Sequence, residues 1–321
     1  MGSIGNGNGN GNGNAVRFNG PIPAARRLRQ MLSDPRKAVF APGVYDGISA
    51  RVALAQGYDC LYMTGAGTSM SCLGMPDLGL ANGTDMVRNA GIIASLDPSI
   101  PVIADADMGY GGTLNVANTV RQYARAGVAG LHIEDQVVAK RCGHLAGKTL
   151  ISREEYANHI RAACKARDEG TDIVVIARSD ARNAEGGGFE ESVARLRLAA
   201  EIGADALFFE ALAGVDECKE AIKLLPRNIP VLINIIAGGK TPVISFDEAQ
   251  QIGFRIVIWP FVGLEAAVPG LENAYRILKK TGKPPAEPTP MGPAGLFDVC
   301  GLQDLMAFDA AVGGSAFSSG V

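Results

Sequence analysis

Eight short, apolar, β-prone runs, each followed by an amphipathic stretch, recur at 38–44, 60–64, 102–105, 130–134, 173–178, 207–210, 231–234 and 256–259. Alternation of this kind marks βαβ units, in which buried parallel strands are joined by crossover helices. The intervening helical periodicity falls at 48–56, 84–95, 114–126, 153–168, 189–202, 215–225, 246–252 and 264–280. Gly57, Gly127, Gly203 and Gly253 stand where several of these helices must close before the next strand. Eight units are enough to close a sheet on itself, so the expected fold class is α/β, a (β/α)8 TIM barrel.

The barrel should occupy residues 24–283. Pro284, Pro285, Pro288 and Pro290 then break the chain, and residues 284–321 are expected as a Pro-rich linker followed by one extra helix at about 295–310. The tract 5–14 alternates Gly and Asn and buries nothing, so residues 1–20 are expected to form a disordered leader. At 321 residues, 47% hydrophobic and 20% charged, the chain can build one large core. Its net charge of -3 offers no basic footprint for nucleic acid or anionic lipid, and no apolar run reaches membrane-spanning length. The six cysteines contain no CxxC pair, which points to reduced thiols and a cytoplasmic location.

Most of the runs finish on a polar residue: Asp46 just after the first, then Thr64, Asp105, Glu134, Arg178, Glu210 and Asn234. In a (β/α)8 barrel these positions converge at the C-terminal mouth, where active sites are built. Asp105 and Asp107 are two apart, so their carboxylates share a side, and Glu134 ends the neighbouring strand. Three carboxylates without a His or Cys beside them suit Mg²⁺ or Mn²⁺. A set of acidic caps and salt bridges is the alternative. In the loop after the fourth run, Cys142 lies between Lys140-Arg141 and Gly143-His144, a basic setting expected to lower a thiol pKa. His132, inside a strand, and His159, inside a helix pattern, are expected to be structural.

These residues resemble the isocitrate lyase and phosphoenolpyruvate mutase superfamily over nearly the whole chain. The motifs are Pro42-Gly43-Val44-Tyr45-Asp46 with Ser49-Ala50, Thr64-Gly65-Ala66-Gly67, Gly74-Met75-Pro76-Asp77, the Asp105 to Gly111 segment, and Lys140-Arg141-Cys142-Gly143-His144. The Cys-Gly-His loop is similar to that of the lyase branch. The resemblance implies Mg²⁺ bridging Asp105 and a substrate 2-oxyacid group, with Asp107 and Glu134 on metal-bound waters and Asp77 in the outer sphere. It implies a carboxylate cradle at Thr64, Gly65 and Ala66, further contacts from Arg178, Glu210 and Asn234, and Gly143-His144 closing over a second carboxylate. A homotetramer with helix exchange between subunits also follows from the resemblance.

Two departures fall near the mouth: Ala237 stands where many relatives have Glu, and Met108 where a small polar residue is usual. The segment Met291 to Leu296 lacks the arginine expected for a tricarboxylate, which favours a smaller malate-type acid. The expected activity is Mg-dependent cleavage of a 2-hydroxy dicarboxylate into a 2-oxo acid and a carboxylic acid. Cys142 would act as general acid, and Tyr45, at the mouth end of the first strand, is the candidate base. Oxaloacetate hydrolysis to oxalate and acetate is the alternative within the family. A catalytically silent barrel that binds an acid or a partner protein is the alternative outside enzymes.

Overall fold

The computed structural model describes residues 22–288 and 291–317, so the expected leader at 1–20 lies outside the described residues. Eight parallel strands close into a barrel in sequence order. They are β1 (Val39–Val44), β2 (Leu61–Met63), β3 (Val102–Asp105), β4 (Gly130–Ile133), β5 (Val174–Ser179), β6 (Ala206–Phe209), β7 (Val231–Asn234) and β8 (Ile256–Trp259). Closure is made by β1 on β8, with Val39 beside Ile256 and Pro42 beside Trp259. All eight expected strands are present, with ends shifted by at most a residue or two.

Strand residues point alternately to the two faces of a sheet, and this period of two sorts the barrel. Val39, Ala41, Tyr62, Ile103, Val174, Ile176, Phe208, Leu232, Ile256 and Ile258 form one cluster, the filling of the barrel itself. The intervening residues, among them Leu61, Met63, Ala104, Leu131, Val175, Leu207, Ile233 and Val257, face the surrounding helices in a second cluster. The parity extends to the strand ends, so the next inward positions after Tyr62, Ile103, His132, Ile176, Phe208 and Leu232 are Thr64, Asp105, Glu134, Arg178, Glu210 and Asn234. One rule therefore fills the barrel with apolar side chains and crowns it with polar ones.

The surrounding helices are α2 (Gly47–Ala55), α4 (Gly83–Leu96), α5 (Thr113–Arg125), α6 (Arg153–Asp168), α7 (Phe189–Ile202), α8 (Val215–Leu224), α9 (Phe246–Ile252) and α10 (Val262–Thr281), with a short α3 (Gly65–Thr68) after β2. Asp46, Asn82 and Ser245 open α2, α4 and α9 with reciprocal capping boxes. Each such cap satisfies orphan backbone donors and is worth about 1 kcal/mol. Asp46 is thus consumed as a cap.

Helix α1 (Ala24–Ser33), which lies before the first repeat, closes the opposite end of the barrel. Leu28 is fully buried in the barrel's inner cluster, and Arg29 grips Asp205 at 2.7 Å.

Beyond α10 the expected single helix at 295–310 is two helices, α11 (Gly292–Val299) and α12 (Leu302–Ala311). Gly301 between them has φ 85°, a left-handed conformation that ends one helix and lets the chain turn into the next. No residue of α10, α11 or α12 is buried.

Candidate active site

The mouth of the barrel gathers Thr64, Ala66, Asp77, Asp105, Cys142, Gly143, His144, Arg178, Glu210 and Asn234 around one polar pocket, together with Tyr62, Ile236, Pro260 and Phe261. The free space between them is about 30 Å³, because the loop carrying Cys142 lies down over the strand ends. Tyr45 is outside this lining. Its Cβ lies beside Gly67 and its ring beside Gly263. Burial, with Asp46 adding to it, raises its phenol pKa, which works against service as a base.

Asp105, Asp107 and Glu134 bring ligand oxygens within 4.8 Å of one another, all buried. The backbone after β3 is bent to achieve this. Asp107 and Tyr110 take positive φ of 45° and 61°, alternating with Gly109 at 84° and Gly111 at 144°. Strain of this kind persists where the surroundings enforce it, and here it aims Asp107 at the triad. Gly65 approaches Asp105 so closely that a Cβ would lie 2.2 Å from Oδ2, so any larger residue would push the carboxylate away.

A divalent cation fits this triad. Neither oxygen of Glu134 has a hydrogen-bond partner although both are buried. The nearest cation to Glu134 is Arg178, with Nε 3.4 Å from Oε2. Burial raises the Glu134 pKa well above its ordinary value and lifts Asp107 to about 7, against the pull of Lys140. Asp105 goes the other way, because His132, Lys140 and Arg178 together outweigh burial. Unpaired buried carboxylates are costly, and an oxygen-seeking cation relieves that cost.

Lys140 is itself buried and lies 2.6 Å from both Asp77 and Asp107. Arg141 turns to the Ala146 carbonyl. Neither cation is left to acidify the thiol, and the expectation of a lowered Cys142 pKa is corrected: burial, then the nearby Asp77, pushes it up to about 11. Gly143 has no space for a side chain, since a Cβ would meet Arg178 Nη2 at 2.5 Å and Glu210 Cγ at 2.7 Å. His144 places Nε2 3.0 Å from Glu210 and accepts the Lys240 amide on Nδ1 at 2.9 Å. An Nδ1 that accepts carries no proton, so Nε2 is the donor to Glu210.

Arg178 Nε and Nη2 reach Asp180 at 2.9 and 3.2 Å, and the guanidinium stacks over Phe208 with 4.9 Å to the centroid. Glu210, with its pKa held down to about 2 because Arg178 and His144 outweigh burial, stays charged. Asn234 donates to Glu210 at 3.1 Å.

Several participants were not singled out by sequence reasoning. Asp180, Lys148 and Asp135 form a buried network under the loop. Asp180 had one signal, its place two residues beyond Arg178. His132, expected to be structural, is fully buried between Tyr62, whose hydroxyl is 2.9 Å from Nε2, and Asp105. Met108 points away from the pocket into a separate hollow with Gln136, Leu150 and His159, and Ala237 is exposed on the loop after β7.

Next to the polar pocket lies a larger apolar hollow of about 550 Å³, walled by Ala66, Met70, Leu145, Phe261, Leu264 and Val268 and touching Cys142 and Asp77.

The family described as phosphoenolpyruvate phosphomutase matches residues 28–279. A 2,3-dimethylmalate lyase of Eubacterium barkeri is 39% identical over 255 residues, 79% of this chain and 86% of that one. A solved 2,3-dimethylmalate lyase, a PEP mutase/isocitrate lyase superfamily member, superposes with a TM-score of 0.90 at 50% identity, covering 94% of this chain and 99% of that one. Oxaloacetate acetylhydrolase in complex with the inhibitor 3,3-difluorooxalacetate superposes at 0.89 with 44% identity, over 92% of this chain and 99% of the other.

Proposed function

Because this chain belongs to the phosphoenolpyruvate mutase/isocitrate lyase superfamily, we propose that it is a magnesium-dependent lyase. It cleaves a 2-alkylmalate-type 2-hydroxy dicarboxylate into a 2-oxo acid and a carboxylic acid. The observation that carries this reading is the placement of a protonated, half-buried thiol at the junction of a polar, carboxylate-lined pocket and an apolar hollow.

Asp105, Asp107 and Glu134 would hold Mg²⁺, which would supply Lewis acidity that lowers the pKa of the substrate hydroxyl. Thr64, Gly65 and Ala66 cradle the adjoining carboxylate, and Arg178 adds a fixed positive charge. His144 and the Gly143 backbone close over the second carboxylate, where negative charge collects as the C2–C3 bond breaks. Glu210 and the Lys240 amide set the orientation of His144, and Asn234 holds Glu210 in place by donating to its carboxylate. Cys142 then gives its proton to C3, and its thiolate is reprotonated from solvent, which takes up the proton released by the substrate hydroxyl.

Oxaloacetate hydrolysis is the second reading, favoured by the similarity to oxaloacetate acetylhydrolase. The apolar hollow at Cys142 weighs for the lyase, since oxaloacetate carries no alkyl substituent to fill it. In assembly we infer a homotetramer in which the last barrel helix, α10, is exchanged between neighbouring subunits and carries the C-terminal helices with it. Leu296, Phe297, Leu305 and Phe308 of α11 and α12, each more than half exposed, support this. The six free thiols fit the reducing cytoplasm, and among the described residues no helix is long and apolar enough to cross a membrane.

The test is an NMR product screen with 2,3-dimethylmalate, 2-methylmalate, oxaloacetate, isocitrate and methylisocitrate, each with Mg²⁺ and with EDTA. Turnover of an alkylmalate that EDTA abolishes and Mg²⁺ restores is the expected result. Full activity in metal-free buffer would remove the metal from the account.

A further inference from the structure

The loop between β4 and α6 carries Cys142 and is fixed at its base: Gln136 exchanges two hydrogen bonds with the Arg141 backbone, at 2.8 and 3.0 Å, and bridges to Leu150. Its tip is exposed at Leu145, Ala146 and Gly147. Lys148, the next residue, is completely buried. Its ammonium donates to the Gly143 carbonyl at 2.5 Å and to Asp180 Oδ1 at 3.0 Å. Taking an ammonium out of water is expensive, and a surface cation could satisfy one carbonyl without that expense. What burial achieves here is geometric. Asp180 also grips Arg178 through two hydrogen bonds, and its own amide is held by Asp135 at 2.7 Å.

We propose that Lys148 is a positioning residue, the latch that holds the Cys142-Gly143-His144 loop down by tying it to the carboxylate that aims Arg178. The thiol-bearing loop and the substrate-binding guanidinium then share one anchor, and neither can shift without the other. Gly143 is the point of attachment because it alone can pack flat against Arg178 and Glu210. The latch matters for catalysis on the proposed reading of Cys142 as proton donor. Its existence is testable without any turnover.

The experiment is alkylation of the intact protein by iodoacetamide, followed thiol by thiol by peptide mapping, in wild type, Lys148→Met and Lys148→Gln. Cys72 is exposed and Cys60 fully buried, so they report surface reactivity and global unfolding in the same sample. In Lys148→Met, Cys142 should react roughly tenfold faster or more, the shift expected when a charged hydrogen bond closing the loop is lost. Cys72 should keep its rate and Cys60 stay unreacted. Lys148→Gln keeps an N–H donor one bond short and should fall between the two. An unchanged Cys142 rate with Cys60 protected would overturn the latch. If Cys60 becomes reactive in the Met variant, the Gln variant decides by the same criterion. Reactivity of Cys60 in both would make Lys148 a residue of the fold and overturn the proposal as well.

Discussion

A thiol that must deliver a proton to a carbanion has to keep that proton until the bond breaks. Burial beneath its loop does this for Cys142, whose pKa lies at about 11 and which therefore stays protonated across the neutral range. The consequence for mutation is specific. Cys142→Ser nearly matches the thiol in size, so fold and metal site should persist, while turnover falls by about 10²–10⁴-fold, the range for losing a positioned general acid. Oxalate should still bind with near wild-type affinity, measured by calorimetry with Mg²⁺, because on the proposed function its contacts belong to the metal, Arg178 and the Thr64 turn. A wild-type rate would move the proton-transfer step to another residue. The position of Cys142 was legible in its loop motif, but the direction of its acidity was not. Sequence shows Lys140 and Arg141 beside it, and only the fold shows that Asp77, Asp107 and a carbonyl have already claimed them.

At the level of elements, the strands were legible because one parity governs both the barrel filling and its polar rim. The break at Gly301 was not, since an apolar pattern from 295 to 310 reads the same whether one helix or two carries it. The network under the Cys142 loop was also hidden, because Asp135 and Lys148 stand at opposite ends of the connection after β4 and Asp180 comes from the connection after β5. Helix pairing offers a stability prediction. Glu191 on α7 accepts from Arg153 and Arg195, and those bonds hold its pKa down to about 2 from an ordinary 4.5. A carboxylate with a depressed folded pKa stabilises fully above its unfolded value, and that stability is lost as pH falls toward the folded one. Thermal melts of wild type should therefore drop between about pH 4.5 and 2 more steeply than those of Glu191→Gln. At pH 7 the variant should melt lower. Parallel pH profiles would count against an inter-helix role for Glu191.

On the scale of the whole molecule, the described chain ends in apolar helices that its own barrel does not cover: Tyr275 is 67% exposed and Phe308 68%. Exposed apolar surface of this kind is covered by association in stable proteins. Sedimentation at micromolar concentration should give a tetramer, and deletion of residues 292–321 should weaken it. A monodisperse monomer would refute exchange. The central claim, that the site breaks the C2–C3 bond of an alkylmalate and protonates the carbanion left on C3, is tested most directly by running 2,3-dimethylmalate with Mg²⁺ in D₂O and reading the products by NMR. The account predicts pyruvate and propanoate in equal amounts, the propanoate carrying one deuterium at C2, with formation suppressed in Cys142→Ser. Inert 2,3-dimethylmalate and 2-methylmalate, alongside conversion of oxaloacetate to oxalate and acetate, would contradict it.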